Sequence, residues 1–196
     1  MSKTNIVLSG VGGQGVITAA NILGKAAVKA KMNVYTSEVH GMAQRGGSVY
    51  CTVRIGDVTN PLIPYGRADV ILSMEPIEAL RWISYANKNT KIITDITPVI
   101  PFTVTIAGES YPKLEDVFEE LGENSELYTI DALDLAKKSG DIIVKNIVML
   151  GALAGIDILP FSSDILLDTI LETVPDKYRE MNENAFKNGL EAIKTS

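Results

Sequence analysis

Two periodicities divide this chain. Asn5-Ile6-Val7-Leu8-Ser9 is a short apolar run that stops at glycines, the pattern of a buried strand. Val16 to Lys29 places Ile17, Ala20, Leu23 and Ala27 at helical spacing. Asn33 to Ser37 returns to strand character, and this strand–turn–helix–strand unit is expected to open a parallel α/β sheet. Glu38 to Gly47 reads as a loop or broken helix. Further strands are predicted over Ser48–Ile55, Asp69–Ser73, Lys91–Asp95 and Leu127–Ile130, where β-branched and apolar residues concentrate. A helix is predicted from Glu75 to Asn87, with Pro76 in its first turn, and a short acidic one from Lys113 to Leu121. Pro98 and Pro101 make the run through Ile106 an extended or edge segment. Helical periodicity then dominates: Ala132 to Ala154 with an interruption near Gly140, Ser163 to Thr173 capped by Ser162 or Ser163, and Asp176 to Lys194. The expectation is one domain, 1–196, with an α/β core over 1–131 and a mainly helical C-terminal extension over 132–196. Its sheet should be Rossmann-like and mostly parallel, with flanking helices.

Composition fits that reading: 196 residues, 46% hydrophobic and 21% charged, describe a globular domain rather than a disordered one. The N-terminus lacks the apolar stretch of a signal peptide. The most apolar late stretch, Ile142 to Leu159, is broken by Lys145, Asn146 and Asp157, so no membrane span is expected and the cytoplasm is the expected location. There is one cysteine, Cys51, and one histidine, His40. That is too few ligands for a disulfide framework, an iron–sulfur cluster or a structural zinc site within the chain. The net charge of −6 argues against nucleic acid as a partner. The charge is uneven: residues 1–110 carry ten Lys+Arg against seven Asp+Glu, and the remainder eight against seventeen. The first half is therefore the better place for an anionic ligand.

Gly10, Gly12 and Gly15 form G-x-G-x-x-G between a strand and a helix. Glycines there permit a tight turn and close backbone approach, and the helix N-terminus presents unpaired N–H groups to an anion. The alternative is that the glycines only let the helix pack on the sheet. A P-loop NTPase is disfavoured, because Val16 and Ile17 stand where Lys and Ser/Thr are required. Glu38, just past the second strand, stands roughly where a dinucleotide ribose acid belongs, which keeps an NAD(P)-binding oxidoreductase in view. A second glycine segment, Gly41-Met42-Ala43-Gln44-Arg45-Gly46-Gly47, adds a guanidinium suited to phosphate or carboxylate, and two such loops can converge on one crevice. His40 has no nucleophile near it in sequence and reads as a loop histidine. Cys51, in a strand, reads as a small buried apolar residue. Lys145 and Asn146 interrupt an apolar helix and must find partners if buried.

Taken together, these segments resemble the gamma-type domain of 2-oxoacid:ferredoxin oxidoreductases. The resemblance rests on Gly10-Val11-Gly12-Gly13-Gln14-Gly15-Val16 and on Ser37-Glu38-Val39-His40-Gly41-Met42-Ala43-Gln44-Arg45-Gly46-Gly47-Ser48. Ala68–Glu75 and Lys145–Gly151 add to it. It runs from about Asn5 to Leu153, and the wording of the second segment is most similar to the indolepyruvate branch. It implies oxidative decarboxylation of an aryl pyruvate on thiamine diphosphate, with electrons passed through iron–sulfur clusters to ferredoxin and the acyl group leaving on coenzyme A. Thiamine diphosphate, its magnesium and the clusters are implied on a larger alpha subunit. Gly140-Asp141 is followed here by Ile142, so the family's Gly-Asp-Gly diphosphate motif is absent from this chain. No catalytic residue and no metal ligand is expected on this chain. The resemblance implies that it shapes or covers the shared site. Gly10, Gly12, Gly13, Gln14, Gly15, Arg45, Gly46 and Gly47 are the candidates to hold coenzyme A. A purely structural assembly subunit remains the third possibility.

Overall fold

The computed structural model describes residues 3–40, 46–99, 111–123 and 125–194. Six strands form one sheet: β1 (Thr4–Val11), β2 (Val34–His40), β3 (Ser48–Ile55), β4 (Val70–Ser73), β5 (Lys91–Asp95) and β6 (Glu126–Ile130). Their order is β2-β3-β1-β4-β5-β6. β1, β4, β5 and β6 pair in parallel, whereas β3 pairs antiparallel with both β1 and β2. β1 and β2 therefore run the same way, as the opening unit predicts, but they are not neighbours. The expected loop over Glu38–Gly47 begins later than the sequence suggests, because Glu38, Val39 and His40 continue β2 and pair with Cys51, Tyr50 and Val49. Residues 41–45 lie outside the described residues. So does the greater part of the extended segment expected through Ile106.

Strand side chains alternate between two faces. Ile6, Leu8, Val70, Leu72, Ile93, Cys51 and Val53 join a large apolar cluster on one face, and Val7, Ile71 and Ile92 join a smaller one on the other. The larger face is covered by α1 (Val16–Lys29) and by the C-terminal helices. The buried stripe of α1 runs through Val16, Ala19, Ala20, Leu23, Ala26 and Ala27, which leaves Ile17 only half-buried. The smaller face is covered by α2 (Pro76–Arg81) and α3 (Leu114–Glu123). The helix expected from Glu75 to Asn87 stops at Arg81, where Trp82-Ile83-Ser84-Tyr85 supplies weak helix formers. A short 3-10 turn, Ile83–Tyr85, follows, and the Trp82 ring lies 3.8 Å from that of Tyr50.

The predicted interruption near Gly140 is present. α4 (Ala132–Ser139) closes on Gly140 at φ 128, and a 3-10 turn at Ile142–Val144 leads into α5 (Lys145–Gly155). α6 (Ser163–Thr173) is capped by the Ser162 side chain, which accepts the Ile165 N–H. α7 (Arg179–Lys194) completes the chain's described part. From Asn146 to Leu153 every residue of α5 is buried. It crosses α7 with backbone in contact: a Cβ on Gly151 would sit 2.0 Å from the Phe186 carbonyl oxygen, and one on Gly189 would sit 1.9 Å from that of Val148.

Candidate functional site

The site forms where β1 ends and α1 begins. Gly15 occupies the N-cap of α1 at φ 80, in the left-handed region, and makes no side-chain capping bond. A Cβ there would also lie 2.8 Å from the Asn146 side-chain nitrogen, so glycine is required both by backbone conformation and by the floor beneath it. The first turn of α1 contains no acidic residue. Its leading N–H groups, which in any α-helix have no intrahelical partner, are thus met by no side-chain carboxylate of that turn and add the positive end of the helix dipole. Val16, Ile17 and Thr18 of that turn line a cleft of about 430 Å³ together with Val11, Gly12, Gly13, Gly15 and Val49. Such a cleft suits an anionic group approaching along backbone N–H groups.

The structure brings the two glycine segments together. Gly12 donates its N–H to the Gly47 carbonyl at 2.8 Å, and Gly46, at φ 77, donates to the Gly12 carbonyl at 3.3 Å. Arg45 adjoins this contact in sequence but lies outside the described residues. Gln14 has its side chain turned inward. Its Oε1 accepts the Val11 N–H at 2.7 Å and its Nε2 donates to the Met74 carbonyl at 3.1 Å. Gly10 makes room for that fold-back, since a Cβ on it would come within 2.7 Å of the Gln14 Oε1.

Lys145 and Asn146, the polar pair on α5, find their partners at this end of the sheet. The Lys145 ammonium donates to Asp95 Oδ2 at 2.5 Å and to the Met74 carbonyl at 3.3 Å. Asp95 is fully buried, and its Oδ1 accepts the Ala132 N–H at 3.0 Å and the Thr97 hydroxyl at 3.3 Å. Sequence reasoning did not single out Asp95; an acid ending a buried strand was the available signal. Two more buried acids stand on the other side of β4. Glu75 caps α2 by accepting the Glu78 N–H at 2.9 Å. Its Oε1 accepts the Val99 N–H at 3.3 Å and the Tyr111 hydroxyl at 2.5 Å. Burial pushes the Glu75 carboxyl above its ordinary value, with the Tyr111 hydrogen bond acting in the opposite direction. Glu78 accepts from the Ser48 hydroxyl at 2.5 Å and from Arg81 Nε at 3.2 Å.

Other candidates stand apart. Glu38 is exposed on β2, and the inserted β3 separates it from β1 by two strand spacings, about 10 Å. A ribose acid belongs beside the glycine loop, not two strands away. His40 closes β2, and its side chain lies outside the described residues. Cys51 is fully buried, and its thiol is pushed up to about 12 by burial and, secondarily, by Glu38, so it stays protonated. Among the described residues, no group of three or more His, Cys, Asp or Glu could hold a metal ion, and no helix is long and apolar enough to cross a membrane.

Comparison with known proteins gives this geometry a context. Residues 5–192 match the family profile "pyruvate ferredoxin/flavodoxin oxidoreductase". The chain is 43% identical to the indolepyruvate oxidoreductase subunit IorB of Archaeoglobus fulgidus, over 95% of this chain and 94% of that one. It is 30% identical to the pyruvate synthase subunit PorC of Methanothermobacter marburgensis, over 95% of this chain and 96% of the other. Among solved structures, it superposes on the keto/oxoacid ferredoxin oxidoreductase gamma subunit of Geobacter sulfurreducens PCA with a TM-score of 0.71 at 25% identity. That match covers 98% of this chain and 99% of the other.

Proposed function

The chain belongs to the pyruvate ferredoxin/flavodoxin oxidoreductase family, and from that premise we propose that it is the small subunit of a heteromeric, cytoplasmic 2-oxoacid:ferredoxin oxidoreductase acting on indolepyruvate and related aryl pyruvates. The observation that carries the substrate is the end-to-end likeness to an indolepyruvate oxidoreductase subunit at 43%, against 30% for a pyruvate synthase subunit of similar coverage. In the reaction the bond between the oxo carbon and the carboxylate breaks and releases carbon dioxide. The electron pair left behind passes to ferredoxin, and the acyl carbon forms a thioester with coenzyme A, whose thiol proton is released.

Thiamine diphosphate, with magnesium, supplies the carbanion chemistry when bound. We place it and the iron–sulfur clusters on the larger partner subunit. This chain's own residues do not suit the clusters: its one cysteine is buried with a protonated thiol, and clusters need several thiolates. They do suit a diphosphate. The uncapped first turn of α1 supplies N–H donors, Gly12 and Gly13 let the ligand approach the backbone, and Gly46 and Gly47 hold Gly12 in place by backbone hydrogen bonds. We assign this cleft to the diphosphate of coenzyme A, with Arg45 positioned in sequence to add a cation. Its work is to bind and orient the acyl acceptor at the border with the partner.

The test begins with anaerobic affinity purification of the tagged chain from its host. A larger partner that co-elutes with thiamine diphosphate, iron and sulfide is expected, and the eluate should turn over indolepyruvate in preference to pyruvate. A chain that elutes alone and binds NAD(P) would overturn the proposal. Within the complex, a carboxylate placed at exposed Thr18 should raise the KM for coenzyme A.

A further inference from the structure

We infer that Lys145, clamped by Asp95, is a positioning residue that holds the glycine loop in its anion-accepting shape through the Met74 carbonyl; the effect on coenzyme A rests on the assignment of the cleft made above. The Met74 carbonyl oxygen accepts two donors, Gln14 Nε2 at 3.1 Å and Lys145 Nζ at 3.3 Å, one for each lone pair. The other end of the Gln14 amide holds the Val11 N–H at 2.7 Å. Gln14 is therefore a strap from the end of β1 to the residue after β4. Those strands flank the point where the order of connections reverses: β1 leads toward β2, whereas β4 leads toward β5 and β6. In open α/β sheets that crevice usually receives the ligand. Here Gln14 and Lys145 fasten across it, and the open cleft lies on the β3 side, against Val49.

One further contact ties α5 to the loop, and another anchors its lysine. Asn146, the next residue, forms the floor under Gly15, and Asp95 ties Lys145 to the start of α4 through its bond to Ala132. The ion pair is an expensive way to stabilise this corner. Asp95 is fully buried and the Lys145 side chain is only 13% exposed, and well-packed apolar groups commonly serve stability as well. What an apolar pair would not supply is the second donor to Met74.

The experiment uses the intact complex, with Lys145→Met alone and combined with Asp95→Asn. The single change strands a buried carboxylate and should lower the Tm. The double change removes both charges while keeping an acceptor for Ala132, and should recover most of that loss. The KM for coenzyme A should rise about two- to tenfold in both variants, the range expected for one lost hydrogen bond. Gln14→Leu should give a similar rise, and adding it to Lys145→Met should give less than the product of the two. A double variant that regains both Tm and KM would make the pair merely structural and overturn the inference, as would fully independent effects of Gln14 and Lys145. If instead the Thr18 carboxylate leaves the KM for coenzyme A unchanged, it is the ligand assignment that fails. The positioning role is then read from amide exchange over residues 10–15. Faster exchange in the double variant at near-native Tm supports it, and unchanged exchange overturns it.

Discussion

Replacing Gly189 by alanine sets two effects against each other. Alanine in a helix interior is favoured over glycine by about 1 kcal/mol, so local propensity alone expects a more stable protein. The α5–α7 crossing expects the reverse. The added Cβ would stand 1.9 Å from the Val148 carbonyl oxygen, 2.8 Å from its carbon and 3.1 Å from the Ala152 nitrogen. An ordinary carbon–oxygen contact is about 3.3 Å or more, so the helices must part locally by well over an ångström. The obstacle is backbone, which cannot swing aside as a side-chain tip can. Overpacking of a rigid core typically costs about 1–3 kcal/mol or more, and this contact belongs at the upper end. With the propensity gain subtracted, the net loss is about 1–3 kcal/mol. For a chain of this length that lowers Tm by roughly 2–4 °C per kcal/mol, or about 2–12 °C. Gly24→Ala is the control. Its Cβ would meet only the Thr36 methyl, at 3.5 Å, in α1, so it should gain about 0.5–1 kcal/mol. Thermal unfolding of both variants in the complex, followed by circular dichroism, checks the pair. A Gly189→Ala variant as stable as Gly24→Ala would refute the packing argument.

Thr18→Glu puts a carboxylate at the exposed first turn of α1, where it should hold or raise Tm by complementing the helix dipole. At an assumed separation of about 8 Å it should repel the nearer charge of a diphosphate by about 0.5–2 kcal/mol, which alone gives a roughly two- to thirtyfold rise in the KM for coenzyme A at low salt that shrinks as salt is added. Steady-state titration reads this, and an unchanged KM removes coenzyme A from the cleft. Cys51 should resist alkylation in the native protein at neutral pH and react on unfolding, which mass spectrometry after iodoacetamide treatment would show. Glu75 binds its proton more tightly folded than unfolded. Its contribution is thus complete below the ordinary value of 4.5 and is lost as pH rises through the raised folded value. Relative to Glu75→Gln, the wild type should therefore lose stability in urea titrations run from acid to neutral pH. Parallel curves would contradict burial as the dominant cause.

Much of this architecture can be read from the sequence because the local signals are strong. Val16–Lys29, Ser48–Ile55, Lys91–Asp95 and Ser163–Thr173 appear with the expected bounds, since each is a clean periodic run between breakers. The meeting of the two glycine segments is also legible, as two flexible elements flanking strands. The direction of β3 is not, because an alternating strand looks the same run either way. Its connection held the clue. Seven residues separate His40 from Ser48, too few for a parallel crossover and ample for a hairpin. Asp95 escaped for another reason: its partner Lys145 is fifty residues away, and only the fold brings them together. Gly189 belongs to no motif and Gly151 only ends one, and mid-helix glycine was the hint in both that two backbones touch.

The insertion of β3 between β1 and β2 carries a consequence for the order in which a growing polypeptide can finish itself. After residue 40 has been synthesised, β1 and β2 cannot close into a continuous sheet, because the berth between them belongs to residues not yet made. β2 and β3 can pair as a hairpin and then dock on β1 as a unit, with register running from Thr4–Ile55 to Val11–Ser48. The Gly12 bonds to Gly46 and Gly47 lie at the far end of that same seam. Those bonds beside the cleft thus continue the seam, and they exist only after the hairpin has docked.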